Sequence, residues 1–458
     1  MQFNTLATFP HRAQFIVSVA AIFGSTALAS CATPEQSEQV DRALSPDVSR
    51  DQSASRGATG VDPLDQKTTS PQLTETSAES AGSETNGNFS QEETLVEQLQ
   101  GPQGSSIGAM GQPVLGDFDR LEPLNCGEGG IAMQDSGPAN NRVNIVIVGD
   151  GYQAHELDTT FAEHAQTTVD ALFKSTMGDP YGRYRNFINV CRLPVVSNQS
   201  GIDNLDTGHS VDTALDGFSR GRLGQVVFSK VNQLLALRLQ GTGTDPDWIF
   251  ASLNTERWVG SGGRVSVYAG GLHVAGEMAL HEGGHSFHGL ADEYSVGGAD
   301  RYPLGETWER NVTVDSGGTK WAEWLGVEQA GLGPIGSYEG AKYSRLGIYR
   351  PSEQSMMRKL GAPYNAPSRQ AVIHDIYDNI SPIDQHTDSS QPVSDEALGI
   401  KVIDPEVLTI RWFVNEKLAQ TGGEVFDRRV LEGEHRVRVV VSAETDLVRS
   451  NKEALRQG

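Results

Sequence analysis

Five consecutive residues, His281-Glu282-Gly283-Gly284-His285, set two metal-ligating imidazoles on either side of a carboxylate and two glycines. The apolar spacing around them predicts one helix over residues 274–290. On a helix, residues four apart share a face and stand roughly 6 Å apart along the axis, so both rings can reach one ion at about 2.0–2.1 Å. Glu282 stands beside the first ring. It is badly placed to be a ligand too and well placed to take a proton from a water on the ion, which is the task of a general base. A catalytic zinc takes three protein donors and keeps one position open. Gly289 can end the helix through a left-handed turn, which returns Asp292 towards the rings. Glu293, one residue further and pointing differently, is the alternative third ligand. His288 would stand about 40° off the line between the two rings and roughly 4.5 Å further along the axis, a position for a pocket residue behind the ligands. Inside a helix Gly283 and Gly284 each cost about 1 kcal/mol relative to alanine. Their presence predicts a close approach by another backbone or by a substrate strand.

The elements that must hold this helix are readable upstream. Residues 144–148 form a β-branched run ending at Gly149-Asp150-Gly151, which predicts a buried strand and a turn. A helix is expected over 156–174, a strand over 187–196, a helix over 223–239 and a strand over 247–253. Gly260-Ser261-Gly262-Gly263 then precedes an extended piece at 264–269 that could pair with a substrate strand. This alternation predicts an α/β (α+β) catalytic domain with a mixed sheet over 115–385. Only three cysteines are present, so a thiolate zinc site is excluded. Cys126 and Cys191 lie at the start of this domain, where they either pair or remain as two buried thiols.

The chain ends read differently. His11 and Arg12 precede an apolar run at 15–29, too short for a comfortable membrane span and suited to the core of a signal peptide over 1–30. Leu28-Ala29-Ser30-Cys31 resembles a bacterial lipoprotein box, which implies a lipid on Cys31 and a membrane anchor; ordinary cleavage nearby is the alternative. Ala32 after that cysteine implies the outer membrane of a Gram-negative bacterium. Residues 31–114 are rich in Ser, Thr, Gln, Glu and Asp and predict a disordered acidic tether. The net charge of -23 excludes nucleic acid as a partner. A polar linker is expected at 385–396. Residues 398–450 alternate apolar and polar, which predicts a small all-β unit, possible as an immunoglobulin-like module.

The run from His281 to Tyr294 resembles the active-site sequence of the IgA-peptidase family of zinc metallopeptidases, a metzincin-like group: His-Glu-x-x-His, a helix-ending glycine, then Asp-Glu-Tyr. Val148-Gly149-Asp150-Gly151-Tyr152, residues 197–203, residues 254–263, Tyr338-Glu339-Gly340-Ala341-Lys342-Tyr343 and Gly347-Ile348-Tyr349-Arg350-Pro351 resemble further family segments, so the likeness spans roughly 115–384. It implies a zincin-like fold, one Zn2+ held by His281, His285 and Asp292, and Glu282 as base. Met357, with Met356 as the alternative, would be the methionine beneath the metal. Ordinary metzincins carry a third histidine where this chain has Ala291. Ser355, Asn365 and Ser368 stand where relatives carry cysteines, so a relative's disulfide is not expected here. Tyr294 and Tyr349 are available to an oxyanion, with packing as the plainer role.

The expected function is a zinc metalloendopeptidase that hydrolyses peptide bonds of extracytoplasmic proteins. Its partners are a protein or peptide substrate and, through the lipid, a membrane. A catalytically silent surface-binding lipoprotein and an amidase for cell-wall stem peptides are the alternatives; the intact Glu282 speaks against the first.

Overall fold

A computed structural model describes residue 118 and residues 120–296, 298–388, 397–431 and 433–457. The leader, Cys31, the tether at 31–114 and residues 389–396 of the linker lie outside the described residues. No described helix is long and apolar enough to cross a membrane.

The principal sheet has nine strands. In chain order they are β1 (Ile131–Gln134), β2 (Val143–Asp150), β3 (Ile188–Leu193), β4 (Asp203–Asn204), β5 (Phe218–Arg220), β6 (Leu223–Gln225), β7 (Trp248–Leu253), β8 (Gly260–Ser261) and β9 (Ser266–Ala269). Across the sheet they run β1-β3-β2-β7-β9-β8-β6-β5-β4. The centre is parallel (β3, β2, β7, β9), with β1 antiparallel to β3 and β8 antiparallel to β9. All eight residues of β2 are buried, because both faces of the sheet are covered. Val143, Ile145 and Ile147 face the core shared with helices α1 (Thr160–Phe173) and α3 (Ala275–Ser286). Val146 and Val148 face the core that receives Val231 and Leu235 of α2 (Phe228–Arg238). That is the two-residue period of a strand read out on two layers. Cys126 and Cys191 are joined by a disulfide, which ties the segment before β1 to β3.

Two expectations for this sheet change. The helix expected over 223–239 begins only at Phe228, because residues 223–225 pair antiparallel with β5. Gly224 there packs against Val259 and Leu253, where an added Cβ would lie 3.2 Å and 3.3 Å from their side chains. Tertiary packing overrides helical spacing at that point. The extended piece at 264–269 is not a docking edge for substrate. As β9 it is paired with β7 on one side and β8 on the other, and its four residues are buried.

After α3 the chain forms two small hairpins, β10 (Glu328–Gln329) with β11 (Gly333–Pro334) and β12 (Tyr338–Ala341) with β13 (Ser344–Arg350), and then α4 (Ala366–Asn379). The remaining strands are β14 (Ile383–His386), β15 (Ala397–Val402), β16 (Leu408–Val414), β17 (Lys417–Thr421), β18 (Val425–Asp427), β19 (Val437–Ala443) and β20 (Arg456–Gln457). They build sheets of three and four strands, β14-β15-β18 and β17-β16-β19-β20. The start of the expected linker is therefore strand, since residues 385–386 belong to β14. Ile400, Leu408, Ile410, Trp412, Val441 and Leu455 belong to the same apolar core as α1, α3 and α4. The C-terminal strands thus close the core of the catalytic region.

Candidate metal centre

Helix α3 buries Ala275, Met278, Ala279 and Leu280 against the sheet and α1, which leaves its His281–His285 edge for chemistry. The two glycines that weaken it are each forced by a neighbour. An added Cβ on Gly283 would lie 2.1 Å from the Trp248 ring, and one on Gly284 would lie 2.5 Å from the Met357 Sδ. The close approach expected from the sequence is real, but side chains make it rather than a backbone or a substrate strand. Trp248 also stacks on Phe287 at 5.2 Å, a contact that offsets part of the helical cost. Gly289 adopts φ +57 and turns the chain back.

Beyond that turn Asp292 meets both rings. Its Oδ1 lies 3.1 Å from His281 Nε2 and 3.2 Å from His285 Nε2. One donor atom from each of the three residues falls within 4.8 Å of the others. The far side of each ring is fixed as well: His281 Nδ1 donates to the Met356 carbonyl at 2.9 Å, and His285 Nδ1 to the Leu290 carbonyl at 2.6 Å. A carbonyl can only accept, so these bonds place the Nδ1 protons and aim both Nε2 atoms at Asp292. Two imidazole nitrogens and one carboxylate oxygen, backed by hydrogen bonds, fit a divalent zinc ion.

The electrostatics without metal are those of three groups sharing protons. Burial alone would raise Asp292, but hydrogen bonds from His281 and His285 outweigh it and hold the carboxyl far below the usual carboxylate range. Burial would lower His281; the Asp292 hydrogen bond and the charges of Glu282 and Asp292 overcome this and push it up to about 9. Glu282 is raised, chiefly by burial, against the pull of His281 and His285. The glycine strand lies directly on it. A Cβ on Gly260 would stand 2.4 Å from Glu282 Oε1, and one on Gly262 would stand 2.2 Å from His285 Cβ.

The other residues singled out from the sequence sort clearly. Glu293 does not face the rings: it is fully buried, accepting from Asn311 at 2.9 Å, Ser355 at 2.6 Å and Asn365 at 2.9 Å. Ser355 and Asn365 thus hold the residue beside Asp292. His288 is buried behind the helix between Tyr181 and Asp375. Met356 and Met357 are both fully buried; Met356 lends its carbonyl to His281, and Met357 packs its sulfur on Gly284. Tyr349 lies away from the rings, pairing with Thr313, its hydroxyl turned to Glu339. Tyr294 stays beside Asp292, edge-on to Tyr343.

Two site residues were not found by reading the sequence. The Tyr343 hydroxyl donates to Asp292 Oδ2. Asn311 clamps Ala291 through both its amide and its carbonyl, each at 2.8 Å. Both come from far along the chain; Tyr343 stood in a family-like segment with no role of its own, and Asn311 carries no local signal.

Residues 131–331 match the model of a peptidase family, which makes the protein a hydrolase of the protease class. The family is described as IgA Peptidase M64, a group of metallopeptidases, and this stretch of the chain is similar to it. No curated protein matches the chain. The matched stretch includes α3 and Asp292 and ends before β12, so Tyr343, Met356 and Met357 lie beyond it.

Proposed function

We propose that the protein is a zinc-dependent endopeptidase that cleaves extracytoplasmic proteins, with His281, His285 and Asp292 holding the ion and Glu282 acting as general base. The carrying observation is the aim of His281 Nε2 and His285 Nε2 at one oxygen of Asp292 while each Nδ1 is tied to a backbone carbonyl. When bound, zinc supplies Lewis acidity at the scissile carbonyl and makes water a nucleophile near neutral pH. With the ion bound, Glu282 would take a proton from the attacking water and pass it to the leaving amine. Burial supports this role, because a carboxylate raised above its ordinary value binds the proton well enough to carry it from one site to the next. Gly260 makes room for the carboxylate, since any side chain there would collide with it.

The test is cleavage of a generic unfolded protein by wild type and Glu282→Gln, with zinc content measured in both. We expect one zinc in each and a loss of about 10²–10⁴-fold in kcat for the variant. Undiminished cleavage by Glu282→Gln would remove this mechanism.

An extracytoplasmic site, reached through a lipid on Cys31 at the outer membrane, belongs to the same proposal. It is supported by the Leu28-Ala29-Ser30-Cys31 sequence and by the Cys126–Cys191 disulfide, a bond of oxidising compartments. Recovery of Cys31→Ser in the membrane fraction to the same extent as wild type would sink the anchor.

A further inference from the structure

The two oxygens of Asp292 are used differently. Oδ1 faces both imidazole Nε2 atoms, and Oδ2 accepts the hydroxyl of Tyr343. We propose that Tyr343 is a positioning residue that makes Asp292 a one-oxygen ligand and so preserves an open place on the metal for substrate; this rests on the metal-centre reading above. With Tyr343, each of the three ligands has its other polar atom held by the protein. Met356 holds His281, Leu290 holds His285 and Tyr343 holds Asp292. Partners of this kind fix ligand orientation and raise metal affinity.

The backbone argues for the same role. Lys342 and Tyr343 form the two-residue tip between β12 and β13, and the tip bonds to the ligand segment on both sides of Glu293. Lys342 N donates to Asp292 O and Tyr343 N to Tyr294 O, each at 3.0 Å. The hydroxyl and the carboxylate it holds are thus carried on one bonded unit. Both tip residues adopt positive φ, 44° for Lys342 and 65° for Tyr343. Such turns are normally filled by Asn and Gly, and a bulky aromatic in that region is an outlier that persists only where its surroundings over-determine it. Core packing does not explain the choice, because Tyr343 remains 42% exposed. Gly298 makes room for it: a Cβ there would lie 2.6 Å from Tyr343 Cβ. The Tyr294 ring meets it edge-on at 5.2 Å.

The test uses the purified full chain, stripped of metal by chelation. Zinc affinity is measured by competition with a chromogenic chelator, and the visible spectrum is recorded after loading with cobalt(II). For Tyr343→Phe, which keeps the ring, we expect zinc affinity to fall by about 10-fold or more. The cobalt bands should also change position and intensity as the second Asp292 oxygen joins the ion. Tyr349→Phe, whose hydroxyl turns away from the rings to Glu339, should keep the wild-type cobalt spectrum. A Tyr343→Phe protein with wild-type zinc affinity and wild-type cobalt bands overturns the proposal. So does zinc X-ray absorption of the wild type that reports two oxygens from one carboxylate, a measurement that needs no variant. Wild type that binds no zinc overturns it as well. None of these readouts depends on turnover, so a failed peptidase assay is distinguishable from a failed inference.

Discussion

His285 and His288 stand three residues apart and occupy opposite environments. At the front of α3, the Nδ1 of His285 is taken by a carbonyl and its Nε2 faces only Asp292, which it shares with His281. Behind the helix, His288 has both nitrogens engaged within the protein: Nδ1 donates to Asp375 at 2.8 Å, and Nε2 accepts from the Tyr181 hydroxyl at 2.5 Å. Asp375 is held in turn by Arg310 at 2.6 Å. Both regions are built from histidine, carboxylate and tyrosine. What separates them is whether a ring nitrogen is left pointing at a shared carboxylate oxygen or is consumed in a closed chain of hydrogen bonds. The first arrangement can take up a cation; the second can only hold elements together.

The sharpest way to break this contrast is a pair of substitutions. His285→Ala should cost on the order of 10³-fold in zinc affinity and all measurable peptidase activity, with little change in the stability of the metal-free fold. His288→Ala should keep one zinc per chain and lower unfolding stability by about 3 kcal/mol, since it strips a buried carboxylate and a buried hydroxyl of a partner. Denaturant unfolding and metal analysis on the same two preparations separate the outcomes. Loss of zinc from His288→Ala would erase the distinction.

A smaller effect is expected at the glycines between the two regions. Gly283→Ala gains about 1 kcal/mol of helix propensity but drives a methyl into the rigid Trp248 ring. A net loss of about 2 kcal/mol should result. Gly284→Ala meets the flexible end of Met357 and should cost less. Thermal unfolding that ranks the two in the reverse order would show that the ring, and not the thioether, is the part that yields.

The smallest effect, about 1.4 kcal/mol for each pH unit, is a slope against pH. His281 is pushed up to about 9 without metal, and zinc requires its neutral ring. Apparent zinc affinity should therefore fall about tenfold for each pH unit below about 9, with a proton released on binding. Calorimetry in buffers of different ionisation enthalpy measures that proton. The same shift stabilises the metal-free fold. Its contribution is complete below the ordinary histidine value of 6.5 and disappears as the pH rises through about 9. A zinc affinity that is level between pH 6 and 9 would contradict the shift.

How much of this was written in the sequence depends on how local each cause is. β2, α1, β7 and α3 carry their own periodicity, and the two histidines with Glu282 announce themselves by spacing alone. The beginning of the helix at 223–239 was hidden because residues 223–225 are claimed by β5, a partner that the local pattern does not reveal. β9 reads as any extended piece does, and only the pairing of β8 across it shows that its edge is taken. What Tyr343 and Asn311 do was hidden for a related reason. Their roles are set by the return of the chain to the Asp292 turn across 51 and 20 residues of sequence.

That return has an outcome for the order in which the molecule matures. The two rings share a face as soon as α3 coils, although His281 takes its final aim from the Met356 carbonyl. The acidic donor gains its direction only after residues 311, 343, 355 and 365 have arrived, and α4 is itself pinned by Ser450 near the end of the chain. A partly synthesised chain would grip an ion with two teeth and let it go. Secure capture of the metal is then among the closing events of folding, after the protein has almost finished becoming itself.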